Sequence, residues 1–271
     1  MNAVKAGDIP LSRINASVKK ILEMKAALGL NQARLVDLAR VPYLVDKQED
    51  MQFAQQVADD SVTLVRDNGH TLPLPRLRPT LVESETFQPT VKATDQTVVV
   101  IFTESVHGSS GRGFESALKA RRADATVFYV DNHLAAPLTG EIVQAAKDAG
   151  NVVVAAYMVP TPAKQVMVEG KLVNSVGLEE AAGLLLTQLL EVAADKTVVV
   201  ALGNPYAAQN FPLVQNYICT YSNASTSELS AVKVLFGELK AHGRLPVTLP
   251  GIAPRGTSIS RAAATGAEAL R

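Results

Sequence analysis

The chain has 271 residues, 47% of them apolar and 19% charged, with 26 basic side chains balanced by 26 acidic ones. That length and apolarity suffice for a full core, whereas the zero net charge excludes the basic face that nucleic-acid phosphates require. No apolar run approaches the ~18 residues of a membrane span and Met1–Ala6 has no signal-type apolar stretch. A soluble chain, cytoplasmic as it stands, is therefore expected, and a longer exported parent is compatible with this.

In chain order, Ile14, Val18, Ile21, Leu22 and Lys25 recur at helical spacing and predict an amphipathic helix over 11–28, with Ser12 as N-cap and Gly29 as the C-terminal cap. The apolar stripe of this helix needs a cover: a partner domain, a second copy of the chain or the main domain itself. A loop around Val41-Pro42 precedes a second helix at about 47–60, then a short strand over 62–66 and a turn at Asp67–His70. Residues 71–96 carry four prolines and read as a linker, which places the start of the main domain near residue 61.

From Thr97 onward the chain alternates. Strands are expected at 97–102, 125–130, 151–158 and 197–202, and helices at 113–122, 137–149 and 178–194. Continuous β-branched runs such as Val98-Val99-Val100 and Val198-Val199-Val200 suit strands buried on both faces. The whole predicts a three-layer α/β/α sandwich on a mostly parallel, flavodoxin-like sheet, with an N-terminal helical extension. Residues 159–176 interrupt the alternation as a surface excursion. After Gly203, Asn204 is placed to cap a helical turn that has Pro205 at its first position. A further strand is expected over 217–221, a last helix over 223–242, and an edge strand over 247–249. Residues 255–271 read as a flexible tail.

Gly203-Asn204-Pro205-Tyr206 with Asn210-Phe211, and Gly243-Arg244-Leu245-Pro246-Val247, resemble the end of the C-terminal domain of family 3 glycoside hydrolases, in particular the bacterial two-domain β-N-acetylglucosaminidases. Gly7-Asp8-Ile9-Pro10-Leu11-Ser12-Arg13-Ile14, Ser61-Val62-Thr63-Leu64-Val65-Arg66-Asp67 and Leu72-Pro73-Leu74 are similar to the segment that follows that family's catalytic barrel and to the entry into its second domain. The resemblance implies residues 1–60 as a helical linker after a barrel and 61–254 as the sandwich. It also implies hydrolysis of terminal β-N-acetylglucosaminides by a complete enzyme, and a carbohydrate substrate bound there. The barrel and its Lys-His-Phe-Pro-Gly type motif have no counterpart in this sequence. The chain alone is accordingly expected to be an inactive scaffold or interaction domain, with the barrel or a second copy as partner through the N-terminal helix.

Open parallel sheets bind ligands at the carboxyl ends of their strands, which directs attention to two loops. Loop 103–113, small and polar and feeding a helix, could cradle a phosphate with Arg112 as counter-charge, the basis of an alternative reading as a stand-alone phosphate or nucleotide binder. It has neither dinucleotide nor Walker glycine spacing. Glu104 is the one carboxylate there that could serve as a glycosidic acid; since the resembled branch draws both catalytic groups from its barrel, a solvated loop carboxylate is the plainer reading. Asn204, Tyr206 and Asn210 are candidates for hydrogen bonding and stacking with a sugar, although capping and packing account for them equally, with Tyr206 and Phe211 as core anchors. Asp59, Asp60, Asp124 and Asp131 read as solvated acids, as do Glu83 and Glu85 of the linker, and no phosphoacceptor set of response-regulator type is present. His70, His107, His133 and His242 share no ligand spacing, so no metal is proposed, and no cofactor either. The single cysteine, Cys219, reads as a buried small hydrophobe.

Overall fold

The structure, a computed structural model, describes residues 1–76, 96–158, 165–168, 171–174 and 177–260, with backbone pairing alone for the two four-residue stretches. Glu83 and Glu85, most of the linker and of the 159–176 excursion, and the tail beyond residue 260 lie outside the described residues. The chain divides into two compact units, Met1–Gln52 and Phe53–Arg271.

The first unit is helical: α1 (Asn2–Lys5), α2 (Leu11–Ala27) and α3 (Val41–Leu44), the last a single turn where a loop was expected. Helix α2 starts two residues earlier than a Ser12 cap would have it. Pro10 is the N-cap, its carbonyl accepting from Arg13 and Ile14 N–H, and Ser12 lies inside the first turn. Its other end follows the glycine rule: Gly29 is left-handed (φ 69°), Gly29 N–H donates to Ala26 O and Leu30 N–H to Lys25 O, the paired bonds of a Schellman ending. None of the three helices contains a buried residue. Ile14, Val18, Ile21 and Leu22 are all exposed. Helix α4 (Gln48–Ser61) runs across the division between the units.

In the second unit the chain continues as β1 (Thr63–Asp67), β2 (Thr97–Phe102), α5 (Arg112–Lys119), β3 (Thr126–Val130), α6 (Asn132–Asp148), β4 (Asn151–Met158), β5 (Gln165–Val168), β6 (Lys171–Asn174), α7 (Glu180–Ala193), β7 (Thr197–Gly203), a 3-10 helix at Pro205–Asn210, β8 (Asn216–Cys219) and α8 (Ser225–Leu235). Six strands form one sheet in the order β1-β8-β7-β4-β2-β3, parallel except for β1, which runs antiparallel to β8 at the edge. Among themselves the parallel strands lie in the order 2-1-3-4-5, the flavodoxin-like arrangement. The pair β5 and β6 is a separate antiparallel hairpin.

Period-two geometry divides the apolar runs between two cores. Val98, Val100, Phe102, Val154, Ala156 and Val199 face Ile142 of α6 and Leu185, Leu186 and Leu189 of α7. Val99, Ile101, Val153, Ala155, Val198 and Val200 face Phe114 and Leu118 of α5 and Val232 and Leu235 of α8. The sheet is thus the middle of three layers.

Four local expectations are corrected. Helix α6 begins five residues before Pro137 because the Asp131 carboxylate caps it, accepting from His133 and Leu134 N–H at 3.0 and 3.1 Å. Helix α8 stops at Leu235, followed by left-handed Gly237 (φ 65°), and does not reach residue 242. In place of an edge strand over 247–249 there is one isolated bridge, Leu249 to Ala253. Residues 255–260 are not loose either: Gly256 N–H donates to Leu245 O, Leu245 N–H to Thr257 O and Ile259 N–H to Leu64 O.

The turn after β1 is fixed by Asn216, a fully buried amide on β8. Its nitrogen shares two hydrogens among three acceptors, Thr71 Oγ1 (3.0 Å), Asp195 O (3.1 Å) and Thr197 O (2.9 Å), and its oxygen accepts from Gly69 N–H at 2.9 Å. A Cβ on Gly69 would sit 2.0 Å from Asp195 O, so the turn requires glycine for space. Cys219 is buried two residues farther along β8 than Tyr217, and burial, only partly offset by a hydrogen bond with Tyr217, pushes its thiol up to about 12.

Candidate functional site

The carboxyl ends of the parallel strands carry the five candidate catalytic and ligand-binding residues. Glu104 and Arg112 belong to the connection between β2 and α5, and Asn204, Tyr206 and Asn210 to the turn after β7. Strand β4 separates β2 from β7, so the strands that lead into the two groups lie roughly 10 Å apart, twice the spacing of neighbouring strands. The first group lies at the switch point between β2 and β4, where the direction of strand succession reverses.

The loop leaving β2 is built by local bonds. Thr103 Oγ1 accepts from Ser105 N–H at 3.0 Å and donates to Ser105 O at 2.8 Å. Val106 N–H donates to the Asp131 carboxylate at 3.3 Å, tying the loop to the α6 cap. Burial raises the Asp131 carboxyl, but the N–H groups of Leu134, Val106 and His133 outweigh it and hold its pKa below the ordinary value. Asp131 is therefore a structural acceptor, not the solvated acid expected. Asp59 is corrected likewise, since it accepts from Lys233, Ser230 and Gln55, whereas Asp124 is ion-paired with the Arg122 guanidinium at 2.8 Å. Asp60 is exposed, as expected.

Arg112 is committed within the domain. Its guanidinium lies 3.8 Å from the centroid of the Tyr129 ring, donates to Val106 O at 3.0 Å, and is 3.7 Å from the Glu115 carboxylate. Glu115 also accepts from the Tyr129 hydroxyl (2.8 Å) and pairs with Lys119 (3.0 Å). Burial raises the Glu115 carboxyl; the Tyr129 and Lys119 hydrogen bonds with the Lys119 and Arg112 charges more than offset this, and its pKa falls below the usual carboxylate value.

The group that sequence reasoning missed is Glu228. It sits in the first turn of α8, 6% exposed, and one oxygen accepts from the Tyr157 hydroxyl at 2.5 Å and from Gly111 N–H at 3.3 Å. Gly111 is the N-cap of α5, in the left-handed region (φ 85°). A carboxylate of the chain itself thus occupies the helix N-terminus at which the alternative reading placed an external phosphate. Burial, then the adjoining Glu228 carboxylate, push the Tyr157 phenol well above its ordinary value, so it remains a neutral donor. In the sequence Glu228 passes for a solvated helix glutamate; the available clue was its small neighbourhood, Ser227, Ser230 and Ala231, which suits a buried helix face.

On the other side of the edge, Asn204 Oδ1 accepts from Tyr206 N–H at 3.1 Å, the capping role expected. Tyr217 Oη donates to Pro205 O at 2.8 Å. Phe211 is buried, but Tyr206 is 37% exposed and is not the core anchor expected. Glu104, His107 and Asn210 are exposed. Among the described residues no three His, Cys, Asp or Glu side chains converge as metal ligands, and no helix is long and apolar enough to cross a membrane.

Sheet order, three layers and a polar edge at the switch point define a flavodoxin-like α/β/α domain. Its sequence matches the glycosyl hydrolase family 3 C-terminal domain over residues 10–262, and the chain belongs to that family. A lysosomal beta glucosidase of Dictyostelium discoideum is 35% identical over 78 residues, 26% of this chain and 9% of that protein. A fungal multi-domain family 3 β-N-acetylglucosaminidase superposes with a TM-score of 0.59 at 19% identity, covering 97% of this chain and 26% of that one. The β-N-acetylglucosaminidase of Paenibacillus gives 0.57 at 19%, with 94% and 42% covered, and a β-glucosidase of Erythrobacter marinus 0.60 at 16%, with 96% and 41%. The chain therefore spans less than half the length of each of these relatives, and at such identities the structural likeness shows the fold.

Proposed function

We propose that this chain is the non-catalytic C-terminal sandwich of a family 3 glycoside hydrolase, whose complete form removes terminal β-N-acetylglucosaminyl groups with both catalytic groups on a separate barrel. Residues 1–60 then form the linker that follows the barrel, and the exposed apolar residues of α2 are the surface the barrel covers. The β-N-acetylglucosaminide preference is supported by the Gly243-Arg244-Leu245-Pro246-Val247 ending and by the two β-N-acetylglucosaminidases among the structural relatives.

The observation that carries the non-catalytic reading is the employment of the carboxylates at the sheet's carboxyl edge. Retaining glycoside hydrolysis needs two carboxyl groups about 5 Å apart across the scissile bond, one of them able to give up a proton. Glu115, Asp131 and Glu228 are each held by hydrogen bonds from tyrosine, lysine or backbone N–H donors of the same domain. Glu104, in the exposed loop after β2, is the carboxyl that the assay addresses.

The test is hydrolysis of a chromogenic β-N-acetylglucosaminide and a β-glucoside by the purified chain and by its Glu104→Gln variant. No turnover by the folded chain is expected. Turnover that disappears in Glu104→Gln would place a catalytic carboxyl in the loop after β2 and sink the scaffold reading.

A further inference from the structure

Glu228 is an expensive way to join α8 to its neighbours. A buried carboxylate loses its hydration, and here one oxygen is repaid by two neutral donors, the Tyr157 hydroxyl and Gly111 N–H. An apolar side chain at this buried position of α8 would not carry that cost. What an apolar side chain could not do is hold the backbone of residue 111. The packing around the carboxylate is equally specific: a Cβ on Gly113 would lie 2.3 Å from Glu228 Oε2, and a Cβ on Gly111 would lie 2.6 Å from Ile101 Cγ2. Two glycines thus let the start of α5 close down onto a fixed carboxylate and a fixed strand.

We propose that Glu228 is the positioning residue of the β2–α5 loop. From α8 it acts on Gly111 directly and is itself oriented by Tyr157 of β4. At the other end of the loop, Asp131 holds Val106 N–H, and Arg112 closes the loop on itself through Val106 O. The loop that presents Glu104 and His107 at the switch point is in this way clamped at both ends by carboxylates from outside it. The clamp does not depend on the reading of the domain as non-catalytic, since it sets where the loop stands whatever the loop contacts.

The experiment is amide hydrogen exchange on the full chain, comparing residues 105–112 with core strands β4 and β7 in the wild type and in Glu228→Ala, Glu228→Gln and Tyr157→Phe. In Glu228→Ala, exchange over 105–112 should quicken at least ~10-fold beyond any change in β4 and β7, as expected for a local opening. Tyr157→Phe should give a smaller change of the same kind, and Glu228→Gln, which keeps an acceptor oxygen, should restore most of the protection. Should Glu228→Ala not fold, Gly113→Ala displaces the carboxylate without deleting it and should loosen the same amides. Loop exchange that stays at the wild-type rate, or that rises only in step with the core strands in every folded variant, would overturn the assignment.

Discussion

Residues 11–27 and residues 180–193 are both amphipathic helices with an aliphatic face, yet those faces have opposite fates. Helix α7 buries Ala182, Leu185, Leu186, Leu189, Leu190 and Ala193, whereas α2 buries nothing. Helical periodicity alone therefore identifies a face that seeks a partner without naming the partner. In α7 the partner is the sheet, one crossover away in sequence. For α2 the proposed partner is the barrel. A stretch with so little burial of its own gains its stability from what it docks on, since isolated helices of this length are marginal in water.

The largest effect that would test this contrast is expected from Leu185→Ala, which empties a fully buried site and should cost about 2–5 kcal/mol by urea denaturation. Next comes Gly243→Ala. Its Cβ would lie 2.0 Å from Ser61 O and 2.3 Å from Thr63 Oγ1, and the backbone shift required should cost about 1–3 kcal/mol in the same assay.

A smaller, pH-dependent effect is expected at Asp59, which joins α4 to α8. Burial raises its carboxyl, but hydrogen bonds from Lys233, Ser230 and Gln55 and the Lys233 charge outweigh burial and hold its pKa below 3.8. A carboxyl depressed on folding stabilises fully above its unfolded pKa, and this contribution is lost as pH falls through the folded one. The part of the wild-type urea midpoint that Asp59 supplies should thus be constant from pH 7 to about 5 and be lost below the ordinary value of 3.8. Asp59→Asn should remove that portion of the acid loss at a cost near neutrality below about 1 kcal/mol, because the pair is partly solvated.

The smallest effect is expected from Leu22→Ser in α2, within about 0.5 kcal/mol of wild type for the chain alone. If Leu22→Ser instead costs as much as Leu185→Ala, α2 has a buried face in solution and the contrast between the two helices fails.

The sheet was legible because Val98-Val99-Val100 and Val198-Val199-Val200 offer no polar face, which only a two-sided cover can satisfy. The ends of helices were legible where one residue decides: Gly29 terminates α2 and Asn204 caps its turn. They were misread where two residues compete for the role. Pro137 tolerates the first turn of a helix and drew the predicted start of α6 to itself, but the Asp131 carboxylate supplies the actual cap six positions before the proline. Ser12 lost the N-cap of α2 to Pro10 in the same way. Among the candidate site residues, the loops were found and the commitments within them were not. Arg112 is spoken for by Tyr129, and Glu228 by Tyr157, through contacts between residues 17 and 71 positions apart that no local pattern reports.

Cys219 has a practical side. Thiol reagents attack the thiolate, and this thiol is both sealed in the sheet and shifted far above neutral pH, so the native chain should be inert to maleimides and iodoacetamide. Each alkylated molecule then records one excursion in which β8 left the sheet. With no other sulfhydryl in the sequence, a mass shift counts such excursions without engineering, and a cysteine placed on the exposed surface of α2 would take a fluorophore there alone.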